Sequence, residues 1–513
     1  MKVGITISDF DEAYKVTKAS DLLREISELY HQVVSEGNLI YEKWEADIKR
    51  PEFNESARNL SYYLALRQKD IRGIQRDLVP WGLSSLGRLE SKTLSTLEAV
   101  IHALTAIVGK QTNTEADDQT PPFDAFNLGQ ERLASNTVGI LGKKPNNRNT
   151  RIMVTMPTEA AHDDQLVSDL IANGMNVARI NCAHDTQEIW TQMIKTIRQK
   201  SSEQKKDVRI LMDIAGPKIR TDWIFTTHKK PKVSVGDFIY LTKDYDTLPK
   251  YHDAKVTAGC SIPQIFEQLS LNDPVLIDDG SVETTVIELN KNYAKLEVKK
   301  VKDKSIRIKA EKGLNFPGVS FKIDILTQED KEAIAFTVKH ADILGCSFVR
   351  DVRDIKAIQA ELKSLLGQEA KNMAMMAKIE TVQAVQNLTQ IILSAASENP
   401  FSVMIARGDL AVETGYIRLA EVQQQIMWIC EAADIPVVWG TEVLANMLET
   451  GIPSRAEVTD AAEGVRSDCV MLNKGDYIVE TVEMLGEILD MMEEHQFKKT
   501  PKLRALSIAK IND

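Results

Sequence analysis

AMMAKIETVQAVQNLTQIILSAASENPFSVMIARGD, residues 374–409, is the stretch on which the fold turns. An apolar run from Ala374 ends in Lys378 and Glu380, a helix-plus-loop stretch follows, and a second apolar run through Ser402 leads to Asp409. Strand, crossover and strand in that order form a parallel βαβ unit. The same texture begins at Arg151. The runs are RIMVTM (from Arg151), VARINC (from Val177), RILMDI (from Arg209), ILGCSFVR (from Ile343), AMMAKIE, SVMIAR, IPVVWGT (from Ile435) and CVMLN (from Cys469). Eight such units, most of them separated by ~20–30 residues, predict a closed (β/α)8 barrel of the α/β class.

Between the third and fourth runs the rhythm breaks. VGDFIYL, DPVLIDDGSVETTVIEL, AKLEVKKV and IRIKAEKG alternate as strands with little helix, which predicts an inserted all-β domain over 225–320. The barrel then takes 151–224 and 321–513. Inserts after a barrel strand sit at the C-terminal face, so this domain is placed to act as a lid. Residues 1–110 show helical spacing, as in Leu60, Tyr63, Leu64, Leu66, Ile71 and Ile74, and form a helical module. The polar, Pro-containing stretch after it predicts a linker over 111–150.

Composition narrows the function. With 63 Lys and Arg against 74 Asp and Glu, the net charge of −11 gives nucleic acid no general electrostatic reason to bind. No apolar run approaches the ~18 residues of a membrane helix, and the acidic MKVGITISDFDEAY start is unlike a signal peptide. The reading is cytoplasmic, with no membrane partner. Five scattered cysteines without a Cys-x-x-Cys pair predict neither a disulfide framework nor a zinc site.

Barrel chemistry sits at the C-terminal ends of strands. There the runs end in Arg179 and Asn181, Asp213, Lys378 and Glu380, Asp409, and Thr441. Lys378 and Glu380 are two apart and share a strand face, so they either meet a ligand or pair with each other. Glu380 and Asp409, on neighbouring strands ~4.8 Å apart, are near enough to share a divalent cation such as Mg2+. Arg179, Lys378, Lys218 and Arg220 surround it with positive charge, a mix suited to phosphoryl transfer, although each charge alone could be a structural pair. Gly408 lets backbone N–H groups approach an anion, and DDG at Asp278 to Gly280 reads as a hairpin turn.

Eight collinear strings resemble the pyruvate kinase family: GMNVARINCAHD, DIAGPKIRT, IDDG, KGLNFPG, SFVRD, AKIE, IARGDL and PSRAEVTD. The resemblance runs from Arg151 to about Leu472 and implies a barrel with a β lid. It implies transfer from phosphoenolpyruvate to ADP, giving pyruvate and ATP, with Mg2+ or alternatively Mn2+. Lys378 then neutralises the transferring phosphoryl group, Arg179 contacts phosphate, and Glu380 and Asp409 hold the metal. Thr441 and the backbone around Gly408 hold the acid carboxylate. Pro157, His184, Arg220 and Lys312 line the ADP site, and Asp279 belongs to the lid's acidic turn.

Three departures stand out. Asn181 and Asp213 of the family's potassium site are kept, but Ala183 replaces its Ser and Ile214 follows, while Lys218 stands where the family usually has Glu. A tethered ammonium can replace a mobile cation. In this family that exchange accompanies activity without K+, so a K+-independent enzyme is expected. The family's MLSGETA string, tied to enolpyruvate protonation, is here MLNKGDY, with Asn473, Lys474, Gly475 and Asp476. Only about 40 residues follow the last strand, so the usual C-terminal effector domain is expected to be absent. A homo-oligomer is expected, with a barrel-to-barrel dimer as one form. Two alternatives remain at this stage: a different enol-acid substrate, and a non-catalytic sensor of phosphoenolpyruvate or nucleotide acting through the N-terminal helices.

Overall fold

The eight runs become eight parallel strands in a computed structural model that describes residues 17–109, 123–229, 231–248 and 253–505. They are β1 (Arg151–Thr155), β2 (Val177–Asn181), β3 (Arg209–Asp213), β4 (Ile343–Cys346), β5 (Ala374–Ile379), β6 (Phe401–Ala406), β7 (Val437–Gly440) and β8 (Cys469–Leu472). They close in sequence order, β8 pairing back onto β1 through Val154 and Leu472. Inward side chains of Met153, Val177, Leu211, Ile343, Met376, Met404, Val438 and Met471 pack into one core, with Ile140 and Leu141 sealing it. Each is almost fully buried, worth ~1.5–3 kcal/mol per large side chain. The barrel interior is therefore filled, and polar chemistry is confined to its rim.

The sealing pair corrects an expectation. Of the stretch read as a linker, 111–122 lie outside the described residues, but Leu128–Leu141 form a helix. Its apolar residues Leu133, Ile140 and Leu141 are buried, a signal masked by the polar, proline-bearing sequence upstream.

The insert is a seven-stranded sheet in the order Leu314–Asn315, Pro274–Ile277, Val282–Leu289, Tyr293–Val301, Phe238–Thr242, Val256–Cys260 and Thr221–Phe225. It begins at Thr221, slightly before the expected 225, because the entering strand Thr221–Phe225 pairs with Val256–Cys260; the crossing segments 218–221 and 312–316 form its hinge. Its own core includes Ile239, Val256, Val275, Val286 and Leu296. The entering and returning chains run side by side: Thr221 N–H donates to Lys312 O, and Leu314 N–H to Ile219 O, both at 2.8 Å.

The chain divides into two units, 1–133 with 431–434, and 134–430 with 435–513. In the first, helices Ala19–Glu45, Asn54–Arg67 and Thr93–Val108 bury Leu22, Ile26, Leu60, Leu66, Leu97 and Leu104. Gly37 allows the close crossing of the first two, since a Cβ there would lie 2.3 Å from the Tyr62 ring. Gly109 ends the third helix with φ +71°. Among the described residues no helix is long and apolar enough to cross a membrane, and the five cysteines are free.

Candidate functional site

Register fixes the floor of the site. Thr155 lies beside Arg179, Asn181 beside Asp213, and Asp213 beside Gly345. A Cβ at Gly345 would sit 2.8 Å from Asp213 Oδ1, so glycine is what lets this carboxylate stand there. Arg179 donates to Asp213 Oδ2 from Nε and Nη2 (2.9 and 2.5 Å) and to Thr155 Oγ1 from Nη1 (3.0 Å). From β5, the Lys378 ammonium donates to Ser347 Oγ at 2.9 Å and lies 3.0 Å from Glu380 Oε1 and 3.5 Å from Asp213 Oδ2. Ser347 in turn donates to Asp213 Oδ1 at 3.2 Å. The Phe348 N–H donates to Glu380 Oε2 at 2.5 Å, from a backbone at φ +56°.

Lys378 and Glu380 thus do pair with each other, but as part of a cluster that also holds Asp213, Arg179 and Ser347. Two cations balance two carboxylates, all nearly buried, which is the condition under which charge can be tolerated inside. Burial opposes the charged form of Lys378, yet Asp213 and Glu380 outweigh it and hold the ammonium above its usual range. Burial likewise pushes against ionised Asp213, but Lys378 and Arg179 keep its pKa below normal. Glu380 goes the other way: burial raises it, Lys378 opposes, and the nearby Asp409 carboxylate raises it further.

Asp409 opens the helix Arg407–Thr414 at the end of β6. Its Oδ1 is 2.7 Å from Lys218 Nζ, which comes from the hinge and also faces the Phe348 ring. The Gly408 N–H donates to Thr441 Oγ1 at 2.7 Å, leaving the threonine hydroxyl its own proton to give. Thr441 is held at φ +57° at the end of β7. Arg407 fixes it, donating to Gly440 O and Thr441 O (2.9 and 2.8 Å) while pairing with Asp460. Left-handed, non-glycine backbone at Phe348 and Thr441 is the local strain that functional sites retain.

The residues expected to line a nucleotide site spread further. His184 shares a cavity of about 290 Å³ with Arg179, Asn181, Asn473 and Lys474. Pro157 precedes the short turn Thr158–Ala161 after β1. Arg220 donates to Glu311 O at 3.1 Å, and Lys312 pairs with Asp278 at 2.8 Å. Asp278, Asp279 and Gly280 form a hairpin turn with positive φ throughout.

Lys378, Glu380, Arg179 and Asp213 are brought into one bonded cluster, and Lys218, Asp409, Gly408 and Thr441 into the adjoining one. The hydrogen bonds and ion pairs do not join Lys218 to Asn181 or Asp213; Asn181 Oδ1 instead accepts from Ala183 N–H at 3.2 Å. Ser347, Phe348 and Thr155 were not singled out from sequence, although SFVRD carries two of them. A serine directly beyond a strand whose neighbours end in charge was the signal available.

No group of three or more His, Cys, Asp or Glu side chains that could hold a metal occurs among the described residues. Glu380 and Asp409 are two hard oxygen donors whose mutual repulsion a divalent cation would relieve, and magnesium needs no more protein ligands than that. The donor set fits.

The sequence matches the family described as "Pyruvate kinase, barrel domain" over residues 147–482. It is 30% identical to a pyruvate kinase of Dictyostelium discoideum over 66% of this chain and 65% of that protein. It is 32% identical to a pyruvate kinase of Thermococcus litoralis over 68% and 70%. The chain spans just under two thirds of the first of these relatives. Among solved structures, a pyruvate kinase from Cryptosporidium parvum superposes with a TM-score of 0.61 at 26% identity, covering 69% of this chain and 72% of that one.

Proposed function

Because the chain belongs to the pyruvate kinase family, we propose that its barrel rim transfers a phosphoryl group from phosphoenolpyruvate to ADP, yielding ATP and pyruvate. The observation that carries this reading is the Lys378 ammonium, raised on two carboxylates beside Arg179 at the buried end of the barrel. Fixed charges in a water-poor site stabilise a transferring phosphoryl group without reorganisation. Lys378 and Arg179 neutralise its oxygens. The Thr441 hydroxyl, oriented by Gly408 N–H, is free to donate to the acid carboxylate or to hold a water that delivers a solvent proton to the enol carbon. Glu380 and Asp409 would hold Mg2+, which supplies charge neutralisation and Lewis acidity when bound.

Independence from K+ belongs to the same proposal. Ala183 offers no side-chain oxygen for a monovalent ion, and Lys218 brings a tethered cation against Asp409. A lactate dehydrogenase-coupled assay with phosphoenolpyruvate, ADP and Mg2+ tests both claims. NADH consumption is expected, and it should persist when K+ is exchanged for tetramethylammonium. No turnover overturns the reaction, and loss of most turnover on exchange overturns the cation claim.

One observation favours a second reading, a different enol-acid donor. Lys474 replaces the family's usual loop residue and lines the cavity with Arg179 and His184, so it could receive an extra acidic group. A panel of enol-phosphates decides between them.

A further inference from the structure

The hinge meets the helix that carries Asp409 at two points, of which the reading above uses one. Entering the lid, Lys218 pairs with Asp409 at 2.7 Å. Returning from it, Asn315 Nδ2 donates to Glu413 Oε1 at 3.1 Å, and the Phe316 N–H points to the same carboxyl. Asp409 and Glu413 are four residues apart on Arg407–Thr414 and so lie on one helix face. The entering and returning strands are themselves joined by the Leu314 to Ile219 and Thr221 to Lys312 backbone bonds and by a bridge between Arg220 and Gly313.

We propose that Glu413 is a positioning residue: through Asn315 it clamps the lid's returning strand to the Asp409 helix, so that hinge and metal carboxylate move as one body. Two points of attachment fix an orientation where one would leave a pivot. Asn315 is buried, and its side-chain oxygen has no partner among the described residues. In this orientation the amide N–H meets the Glu413 carboxyl, whereas the turned-over amide would set oxygen against its ionised form. A cavity of about 360 Å³, lined by Lys218, Asn315, Phe316, Phe348 and Glu413, leaves the returning strand room to move once released. Released strands would open locally, as weakly tethered segments do.

The proposal rests on the phosphoryl-transfer reading only for its kinetic readout. The primary test is amide hydrogen exchange in segments 218–221 and 312–316 of the full chain. Glu413→Leu should speed exchange there by roughly tenfold or more, whereas Glu413→Gln, which still accepts from Asn315, should stay within about twofold of wild type. Asn315→Leu should match Glu413→Leu, and the double variant should be no faster than either. In the coupled assay the Leu variants should lose kcat while KM for phosphoenolpyruvate holds.

Should Glu413→Leu fail to fold, Asn315→Asp supplies the test. Burial pushes Glu413 up to about 7, with Asp409 adding to the rise and Asn315, Phe316 N–H and Lys218 opposing it. Arg350, the other charged group lining the cavity, is paired with Asp354. Opposed carboxyls in Asn315→Asp, which also loses the Asn315 bond that lowers Glu413, should therefore make hinge exchange faster as pH rises, with the onset above the wild-type Glu413 value. Unchanged exchange in the Leu variants, a Gln variant as fast as Leu, additive double effects, or a pH-independent Asn315→Asp each overturns the clamp. A chain that forms no ATP yet shows the exchange pattern overturns the reaction alone.

Discussion

The two halves of the rim solve the same electrostatic problem differently. Around Asp213 the charges are buried and satisfy one another: Arg179, Lys378, Ser347 and Glu380 leave little side-chain surface to water. On the lid side the charges bridge separate elements and are wetter; Lys312 and Asp278 are about a third exposed, and Lys218 and Asp409 less than a fifth. Buried pairs resist loss of a partner strongly, while exposed pairs are worth ~0–1 kcal/mol. The first half is therefore a preorganised charge template, and the second a set of more exposed contacts made by the insert.

The largest effect should come from removing the template's centre. Asp213→Asn leaves Arg179 and Lys378 as buried cations without their shared carboxylate, and the cost in unfolding free energy should be about 3–5 kcal/mol. The sign with pH follows from its depressed pKa. An acid depressed on folding stabilises above its unfolded pKa of ~3.9, and that stability disappears as pH falls through the folded value. Urea melts of wild type and variant should thus differ by a constant amount near neutrality and converge in acid. A gap that widens on acidification would break the picture.

Lys378→Met against Lys312→Met contrasts the halves in activity. The first should lower kcat by ~10²- to 10³-fold, as loss of a preorganised transition-state charge does. The second removes a partly exposed pair and should cost under about tenfold. A reversal would mean that the lid, and not the buried cluster, holds the critical charge.

On the proposed reading magnesium would join the halves through Glu380 and Asp409, and it should stabilise the fold by ~2.7 kcal/mol at a hundredfold excess over Kd. Glu380 is raised by burial and by Asp409, so its ionised form is the unfavourable one in the folded state. Stability from this group is present below its unfolded pKa and is lost as pH climbs through the folded value. The Mg2+-induced rise in Tm should accordingly grow as pH climbs above the ordinary glutamate range and vanish in Asp409→Asn. A shift independent of pH would remove Glu380 from the metal site.

Much of the template was visible in the sequence because charge at the end of an apolar run is a side-chain signal. Arg179, Asp213, Lys378 and Glu380 all announce themselves that way, and the eight runs that carry them became the eight strands. Phe348 does not, since its contribution is a backbone N–H aimed by a positive φ that no side chain reveals. Ser347 was hidden by its lack of charge, although it joins Lys378 to Asp213. On the lid side the partners themselves were illegible. Lys218 could be recognised as a displaced charge, but its bond to Asp409, 191 residues away, depends on how the insert returns to the barrel. Glu413 follows Asp409 at helical spacing, yet nothing local names Asn315 as its partner.

The smallest predicted effect probes the lid side with a single methyl group. A Cβ added at Gly313 would lie 2.9 Å from Lys218 Cε and 3.5 Å from its Nζ. The obstacle is the flexible end of a lysine, so Gly313→Ala should fold with a cost within ~1 kcal/mol, and Lys218 should swing aside. Displacing it removes the cation from Asp409 without touching Lys378, Arg179 or Glu380. If the halves are separable, KM for ADP should rise severalfold while KM for phosphoenolpyruvate stays put, since Arg179 and Lys378 still meet its phosphoryl group. Equal changes in both constants would mean that Lys218 and the buried cluster act as one unit, and the distinction between template and lid contacts would have to be given up.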